Sequence, residues 1–402
     1  MQKIAYICEL GVSGRQCGEE ANRQFITLTR VRLKSSRLNN NIKTLYMKTH
    51  YVIEILRKSI FICLYLTFSP ALVAQQVVTG RITESVDGTP IPSVSIFIAN
   101  TSIGTISNES GNYSITYQGK GSFEIVVSHV GYQPVFQKID IPKPFHQIDV
   151  SMESNELSEV IITARSNYSR SDVNLFWRKL LGKTPSRNGM EVLNPEKVYF
   201  YRNSDNILKV SCKEPIEIIN HEMGYHIRYI LGSFQHDYRE DVTTISGNPH
   251  FEELIPQNSR QKTNWEKKRQ DVYDVSILRF IRALYRGQIH EKGFLLAEKD
   301  SLRNGKTVFL KDILQSVQDM ILVSIEATMF LMCYSKPVTT QMIQNSYRYL
   351  VSGGTFPIVV ELLPQQIIIY SDGTYSGTLQ IQERRGYIFG LSSMVPVEYA
   401  EF

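Results

Sequence analysis

The sequence predicts a mainly β chain, an N-terminal antiparallel β-sandwich followed by an α+β C-terminal region. Three observations carry that prediction. Between residues 77 and 152, short stretches alternate apolar and polar residues with a period of two, separated by turns rich in Gly, Pro and Asn. Aromatic residues reach 10% of the chain, with 22 Tyr and 18 Phe, a bias that suits strands. Helical spacing of apolar residues is read in two segments, both after residue 170. The 402 residues set a prior of two or three domains at roughly 150 residues each, and 42% hydrophobic with 21% charged residues excludes a wholly disordered chain.

In chain order, the first feature is an apolar run over 59–74, preceded by Arg57 and Lys58 and ending in small residues. A basic start, a short apolar stretch and a small-residue end make a secretory signal peptide. The run is shorter than the roughly 20 residues of a bilayer span, and Pro70 breaks it. Cleavage is expected after Ala71 or Ala74; the competing reading is a signal anchor or a buried helix. Because a signal peptide opens a chain, residues 1–46 are read as an upstream segment, with translation starting at Met47 and the signal peptide spanning 47–74. The net charge of +5 comes from this region: residues 1–75 hold 11 Lys/Arg and 4 Asp/Glu, leaving 33 basic against 35 acidic residues beyond. The main body therefore lacks the global positive footprint of a nucleic-acid binder.

The sandwich is expected over 77–152. Val77-Thr79-Arg81 and Val78-Gly80-Ile82 occupy opposite faces of one strand, and the turn Asp87-Gly88-Thr89-Pro90 follows. Val94, Ile96 and Ile98 share a face, then a turn over Asn108–Asn112 leads into Tyr113–Tyr117. Phe123–Ser128 and Ile148–Met152 complete the set. Asn108-Glu109-Ser110-Gly111 is a turn and not a calcium loop, since the twelfth position, which should be Glu, is Gly119. Gly80, Gly88-Thr89-Pro90-Ile91-Pro92, Gly104-Thr105, Gly111-Asn112-Tyr113 and Gly131-Tyr132 stand in an order that resembles carboxypeptidase-regulatory-like domains. The resemblance implies a small Ig-like, transthyretin-like sandwich of the kind carried by envelope proteins of Bacteroidota. Ser93 departs from it, standing where that family has Gly.

Residues 153–170 read as a polar linker. Within them Asn155–Ala164 resembles the segment that follows this domain in TonB-dependent outer-membrane receptors. A barrel of about 22 strands cannot fit in the 238 residues after Ala164, so the likeness brings no transport function with it. Residues 171–402 form the α+β region. Val173, Phe176, Leu180 and Leu181 have helical spacing, and so do Val272, Val275, Leu278, Ile281 and Leu284, which predict one helix from about Trp265 to Leu284. Strands are expected at 198–201, 208–212, 216–219, 226–231, 330–334, 358–362, 367–370 and 378–381, with a turn at Asp372-Gly373. Asn220–Leu231 with Gly224-Tyr225, Gly247–Leu254, Trp265-Glu266-Lys267-Lys268-Arg269 and Pro396-Val397-Glu398-Tyr399 resemble proteins known only as carrying a carboxypeptidase-like regulatory domain. That resemblance implies no catalytic residue.

The chemical motifs are weak. His221 and His226 stand five apart; the zinc-protease pair needs a spacing of four on one helix face, and five rotates the second ring about 140° away. In a strand the two would point to opposite faces, and His236-Asp237 would have to complete any site. Gly182-Lys183-Thr184 lacks the opening glycine of a phosphate loop, since position 177 is Trp177. No Gly-x-Ser-x-Gly elbow occurs, although a triad is recognised by geometry. Cys212 and Cys333 would form one disulfide or stay thiols, and Cys8, Cys17 and Cys63 precede the expected mature chain; no CxxC occurs. Arg279, Arg282 and Arg286, beside Lys267, Lys268 and Arg269, are read as a solvated helix face before an anion site.

The reading is a non-enzymatic cell-envelope protein, periplasmic, outer-membrane-associated or at the cell surface, that uses the sandwich as a binding or stabilising module. No catalytic, metal or cofactor-binding residue is assigned, and no cofactor. The partner would be an envelope protein or a glycan, not nucleic acid, with no transmembrane span in the mature chain. The alternative is a secreted hydrolase, including a metal-dependent peptidase built on His221 and His226. N-terminal sequencing of the exported protein is expected to begin between Leu72 and Val77; a cytosolic chain retaining Met1 contradicts the leader.

Overall fold

Strands Ser95–Ile98 and Phe123–Ser128 are buried on both faces, and this decides how the chain is assembled. The structure is a computed structural model. It describes residues 76–119, 121–139, 145–154, 168–182, 189–298, 313–334, 336–345, 358–377, 379, 381–383 and 390–399, with a few helical positions between 51 and 59. The expected cleavage site and residues 155–167 of the expected linker lie outside these. Met1–Leu72 and Val73–Phe402 are separate units, and every sheet among the described residues belongs to the second. No helix among the described residues is long and apolar enough to cross a membrane.

The sandwich is built from β1 (Gln76–Glu84), β2 (Ser95–Ile98), β3 (Gly104–Ile106), β4 (Asn112–Tyr117), β5 (Phe123–Ser128), β6 (Val135–Ile139), β7 (Phe145–Gln147) and β8 (Val150–Met152). One sheet runs β3-β2-β5-β6 and is antiparallel. The other pairs β1 antiparallel with β4 and parallel with β7 and β8. β7 and β8 are two pieces of one edge, interrupted where Asp149 Oδ1 accepts from the Arg81 amide at 2.8 Å. Counted as one, they bring the sandwich to seven strands. Val78, Ile82, Ile96, Ile98, Ile115, Ile125, Val127 and Val150 fill its interior. Gly80 is required by close approach, since a Cβ there would sit 1.7 Å from the Ile148 carbonyl oxygen.

The second layer is a six-stranded antiparallel sheet. It contains β9 (Met190–Val192), β10 (Val198–Arg202), β11 (Ile207–Cys212), β12 (Ile216–Asn220), β13 (Tyr225–Asp237) and β14 (Val242–Glu253), in the order β10-β11-β13-β12-β9 with β14 also on β13. The 13-residue β13 is its spine: β12 pairs its first part, β11 its last, and β14 its whole length. Helix α1 (Arg170–Leu181) lays Leu175, Phe176 and Leu180 on this sheet. Its start is fixed by a capping box between Ser169 and Asp172. The fully buried Asp172 also accepts from the Tyr238 hydroxyl and pairs with Arg202 at 3.5 Å.

The single helix expected from Trp265 to Leu284 is instead two, α2 (Ser259–Tyr273) and α3 (Ile277–Tyr285). The break comes from Ser276, whose hydroxyl accepts from the Arg279 amide and donates to the Tyr273 carbonyl. It therefore caps a new helix where the apolar stripe reads as continuous. The start at Ser259 was hidden because Arg-Gln-Lys-Thr-Asn shows no apolar period; Asn258 caps it through the Gln261 amide. Beyond α3, β15 (Phe294–Glu298), β18 (Met329–Cys333), β19 (Ile358–Leu362) and β22 (Ile381–Glu383) form one sheet. Strands β16 (Leu314–Val317), β17 (Met320–Ile325), β20 (Gln365–Tyr370) and β21 (Tyr375–Ser376) form another. Phe280, Ile281 and Leu284 of α3 share their core with Leu331, Val360 and Ile369. Cys212 and Cys333 are both free thiols, one packed against the six-stranded sheet's core and one inside this last core.

The sandwich does not stand apart. Phe97, Ala99 and Val126, on the outer face of β2 and β5, are buried with Ile230 of β13. Backbone continues the contact: the Asn100 amide donates to Pro249 O at 2.8 Å and the Phe251 amide to Thr101 O at 3.0 Å. A fully exposed outer sheet face would be polar; this one carries the buried Phe97 and Val126 because both sides of the sheet are covered there.

Ser93 carries φ 58, a left-handed conformation in which a side chain is strained. This accounts for glycine at that place in the resembling family. Ser93→Gly is expected to raise the urea midpoint, a gain of about 0.5–1 kcal/mol after the entropy lost by glycine is allowed for; a lower midpoint contradicts the assignment.

Candidate functional site

The segment His221–His226 is a hairpin turn gripped by a helix. Asn220 accepts from the Met223 amide at 3.1 Å through its side chain and from the Gly224 amide at 2.8 Å through its carbonyl. Gly224 has φ 67, and a Cβ there would meet the Trp265 ring at 2.2 Å, so both conformation and space demand glycine. Trp265 Nε1 donates to His221 O at 2.8 Å. One turn along α2, Arg269 Nε donates to Met223 O at 2.7 Å and Nη2 to Gly224 O at 3.2 Å. Its guanidinium lies 4.0 Å from the Tyr225 ring centroid and pairs with Glu253 at 3.0 Å. Trp265 and Arg269 are spaced i, i+4, so one helix face reads the turn.

The two histidines part company here. His221 points outward to Glu191 at 2.8 Å. His226 lies within β13, its Nε2 2.6 Å from Glu217 and its Nδ1 3.5 Å from Glu252. His236 sits ten residues further along β13, about 33 Å away, where Thr243 meets its Nδ1 at 2.9 Å. Among the described residues, no group of three or more His, Cys, Asp and Glu is arranged to hold a metal ion.

What the sheet does assemble is a polar cluster that the residue pattern alone did not reveal. Register sets Glu217 opposite Arg228, His226 opposite Glu252, and Arg228 opposite His250 on three neighbouring strands. Arg228 bonds Glu252, and its other terminal nitrogen reaches Ser95 of the sandwich at 3.5 Å. His250 is buried against Phe97, with ring centroids 4.9 Å apart. The signal was a charge at every second residue, visible only once the pairing of strands is known. The hydrogen bond to Glu217 raises the His226 pKa, outweighing burial. Burial, then the Arg228 charge, lowers that of His250 to about 4. Burial works to raise the Glu252 carboxyl, but the Arg228 hydrogen bond and charge hold it below the usual range.

The helix-face arginines are not a solvated stripe. Arg282 donates to Asp372 O at 2.9 Å, Tyr399 O at 2.7 Å and Val397 O at 2.6 Å, tying three segments together. Arg279 pairs with Asp274 at 3.3 Å, and only Arg286 of the three is exposed. Between the sandwich, the middle of β14 and α3 runs a cleft of about 680 Å³. Its walls are largely apolar, with Leu180, Ile245, Leu278, Leu391 and Met394 among them.

Residues 78–162 match the family model of the CarboxypepD_reg-like domain, so the chain carries such a domain over β1 to β8 and just beyond. TonB-dependent receptor P39 of Formosa agariphila is 35% identical over 102 residues, 25% of this chain and 9% of that protein. TonB-dependent receptor P3 of the same organism is 27% identical over 119 residues, 29% of this chain and 12% of that protein. The chain thus spans about a tenth of the length of these curated relatives. Among solved structures, a DUF3823 family protein from Bacteroides ovatus is 12% identical with a TM-score of 0.17, over 45% of this chain and 82% of that one.

The two cluster histidines make opposite demands on pH. His226, with a raised pKa, stabilises the fold fully below the unfolded value of 6.5, and this is lost as pH rises through its folded value. His250 stabilises above 6.5, and its contribution is lost as pH falls toward its folded value near 4, about 3 kcal/mol in all. Chemical denaturation at pH 7.5 and 4.5 should show an acid-side loss that His250→Gln largely removes; an unchanged acid slope contradicts the assignment.

Proposed function

We propose that this is a non-enzymatic cell-envelope protein whose CarboxypepD_reg-like sandwich acts as a stabilising and binding module for the sheets that come after it in the chain. The observation that carries the reading is the closed outer face of β2 and β5, where Phe97, Ala99 and Val126 pack on Ile230. Burial of such side chains is worth about 1.5–3 kcal/mol each for the larger ones. Neither the sandwich nor the six-stranded sheet can leave the other without exposing that surface. Envelope placement is supported by the leader-like run over 59–74 and by the likeness of the sandwich to part of two TonB-dependent receptors. The sandwich loops and edges suit an envelope protein or a glycan as partner, since a sandwich brings no chemistry of its own.

A second reading, a secreted hydrolase, is favoured by one observation: His226 lies between two carboxylates and has a raised pKa. The readings separate on metal content and on the interface. The purified mature protein is expected to hold no stoichiometric zinc, and His221→Ala and His226→Ala to keep the fold. One zinc per chain, lost in both variants, would overturn the proposal. Ile230→Asp is expected to cost about 3 kcal/mol or more by placing an unpaired charge in the junction. Unaltered thermal unfolding would sink the stabilising role.

A further inference from the structure

Strand β14 is paired along its whole length with β13 on one side, but on the other only its end is taken. There Asn100 and Thr101 lie against Pro249 and Phe251, with Thr101 bridging His250 in parallel. Because the carbonyl of Pro249 and the amide of Phe251 face outward, strand alternation turns the N–H and C=O groups of Thr243, Ile245 and Gly247 to the same side. The irregularity in this pairing falls between Leu231 and Ser233 of β13, so the alternation of β14 is unbroken. Among the described residues those groups have no backbone partner on that edge. The stretch Val-Thr-Thr-Ile-Ser-Gly contains neither charge nor proline, and Val242 and Ile245 are 52% and 37% exposed. Sheet edges are ordinarily guarded by lysine, proline, a bulge or a covering loop; Val242 to Gly247 contains no lysine or proline, the irregularity of the ladder lies on β13, and no described residue pairs with this edge through its backbone.

We propose that the edge of β14 over Val242–Gly247 docks one extended segment of a partner polypeptide, continuing the ladder that Asn100 and Thr101 begin, with apolar side chains turned to the adjoining cleft. Three observations choose this occupant. The edge is already extended from within the chain at Pro249–Phe251, so an added strand prolongs an existing pairing. Ile245 and Gly247 also line the cleft, whose Leu180, Leu391 and Met394 can cover one face of that strand. A second copy fits poorly: six residues of edge give a ladder only about 20 Å long, whereas a stable dimer buries roughly 1,200 Å² over a broad surface. Strand addition draws its affinity from main-chain hydrogen bonds, so a generic strand peptide is a fair probe.

The test is amide hydrogen exchange of the whole mature protein with and without a millimolar synthetic peptide, Lys-Thr-Val-Thr-Val-Thr-Val-Thr-Lys. Exchange across residues 242–248 should slow about tenfold with peptide. Ile245→Pro removes one outward donor and is tolerated on an edge, so it should keep the fold and abolish the protection. If that variant does not fold, Ile245→Lys, which sets a charge against the cleft, should weaken binding about tenfold. No protection in the unaltered protein, or equal protection in the variants, overturns the proposal. Protection that grows with protein concentration and needs no peptide assigns the edge to a second copy and overturns it as well.

Discussion

A buried guanidinium is the constraint on which the second half of the molecule depends. Arg269 is taken out of water, and such a charge is tolerated only where its donors and its charge are met. They are met by the carbonyls of Met223 and Gly224, by Glu253, and by the face of Tyr225. Each partner belongs to the β12–β13 turn or to the end of β14, so α2 has one seat on the sheet. Arg282, on the next helix, repeats the device on the carbonyls of Asp372, Val397 and Tyr399. Two arginines on consecutive helices thereby join the six-stranded sheet, the β20–β21 turn and the 396–399 segment.

The sandwich is joined by a different force. Its interior is an ordinary two-sheet core, but its outer face is apolar and fits a single strand of the next layer. A polar collar surrounds that contact: Asn248 donates to Glu124 at 2.7 Å, Arg228 reaches Ser95, and Glu398 accepts from Ser102. The histidine–carboxylate cluster lies in this collar, where burial and the Arg228 charge hold His250 neutral.

Much of this was legible in the residues. Sandwich strands β1, β2, β4, β5 and β8, with α1 and β10 to β12, fall where alternation and helical spacing put them, whereas β3, β6 and β7 were not foreseen; Gly80 and Gly111 stand where the backbone needs them. The misses share a cause, which is that the sequence shows period but not partner. β15 reads Phe-Leu-Leu-Ala, an apolar run as compatible with a helix as with a strand covered on both faces. β14 opens on Val-Thr-Thr-Ile-Ser, with no apolar face, because its first half lies open. Trp265 and Arg269 stood out as a motif beside Gly224-Tyr225, but their joint purpose depends on a turn that they reach across 44 and 46 residues of chain. The cluster around His226 could not be foreseen at all without the register of three strands.

The bond between Ser102 and Glu398 links residues 296 positions apart. Closing so long a loop is entropically costly, and such contacts form after those that are near in sequence. The sandwich pairs its own strands within stretches of fewer than 80 residues, yet its junction waits for β13 and β14, and its last contacts for the 396–399 segment. A chain made from its N-terminus therefore leaves Phe97 and Val126 uncovered until Ile230 of β13 has been made, about 100 residues after Val126. In that interval the uncovered apolar side chains are open to a holdase.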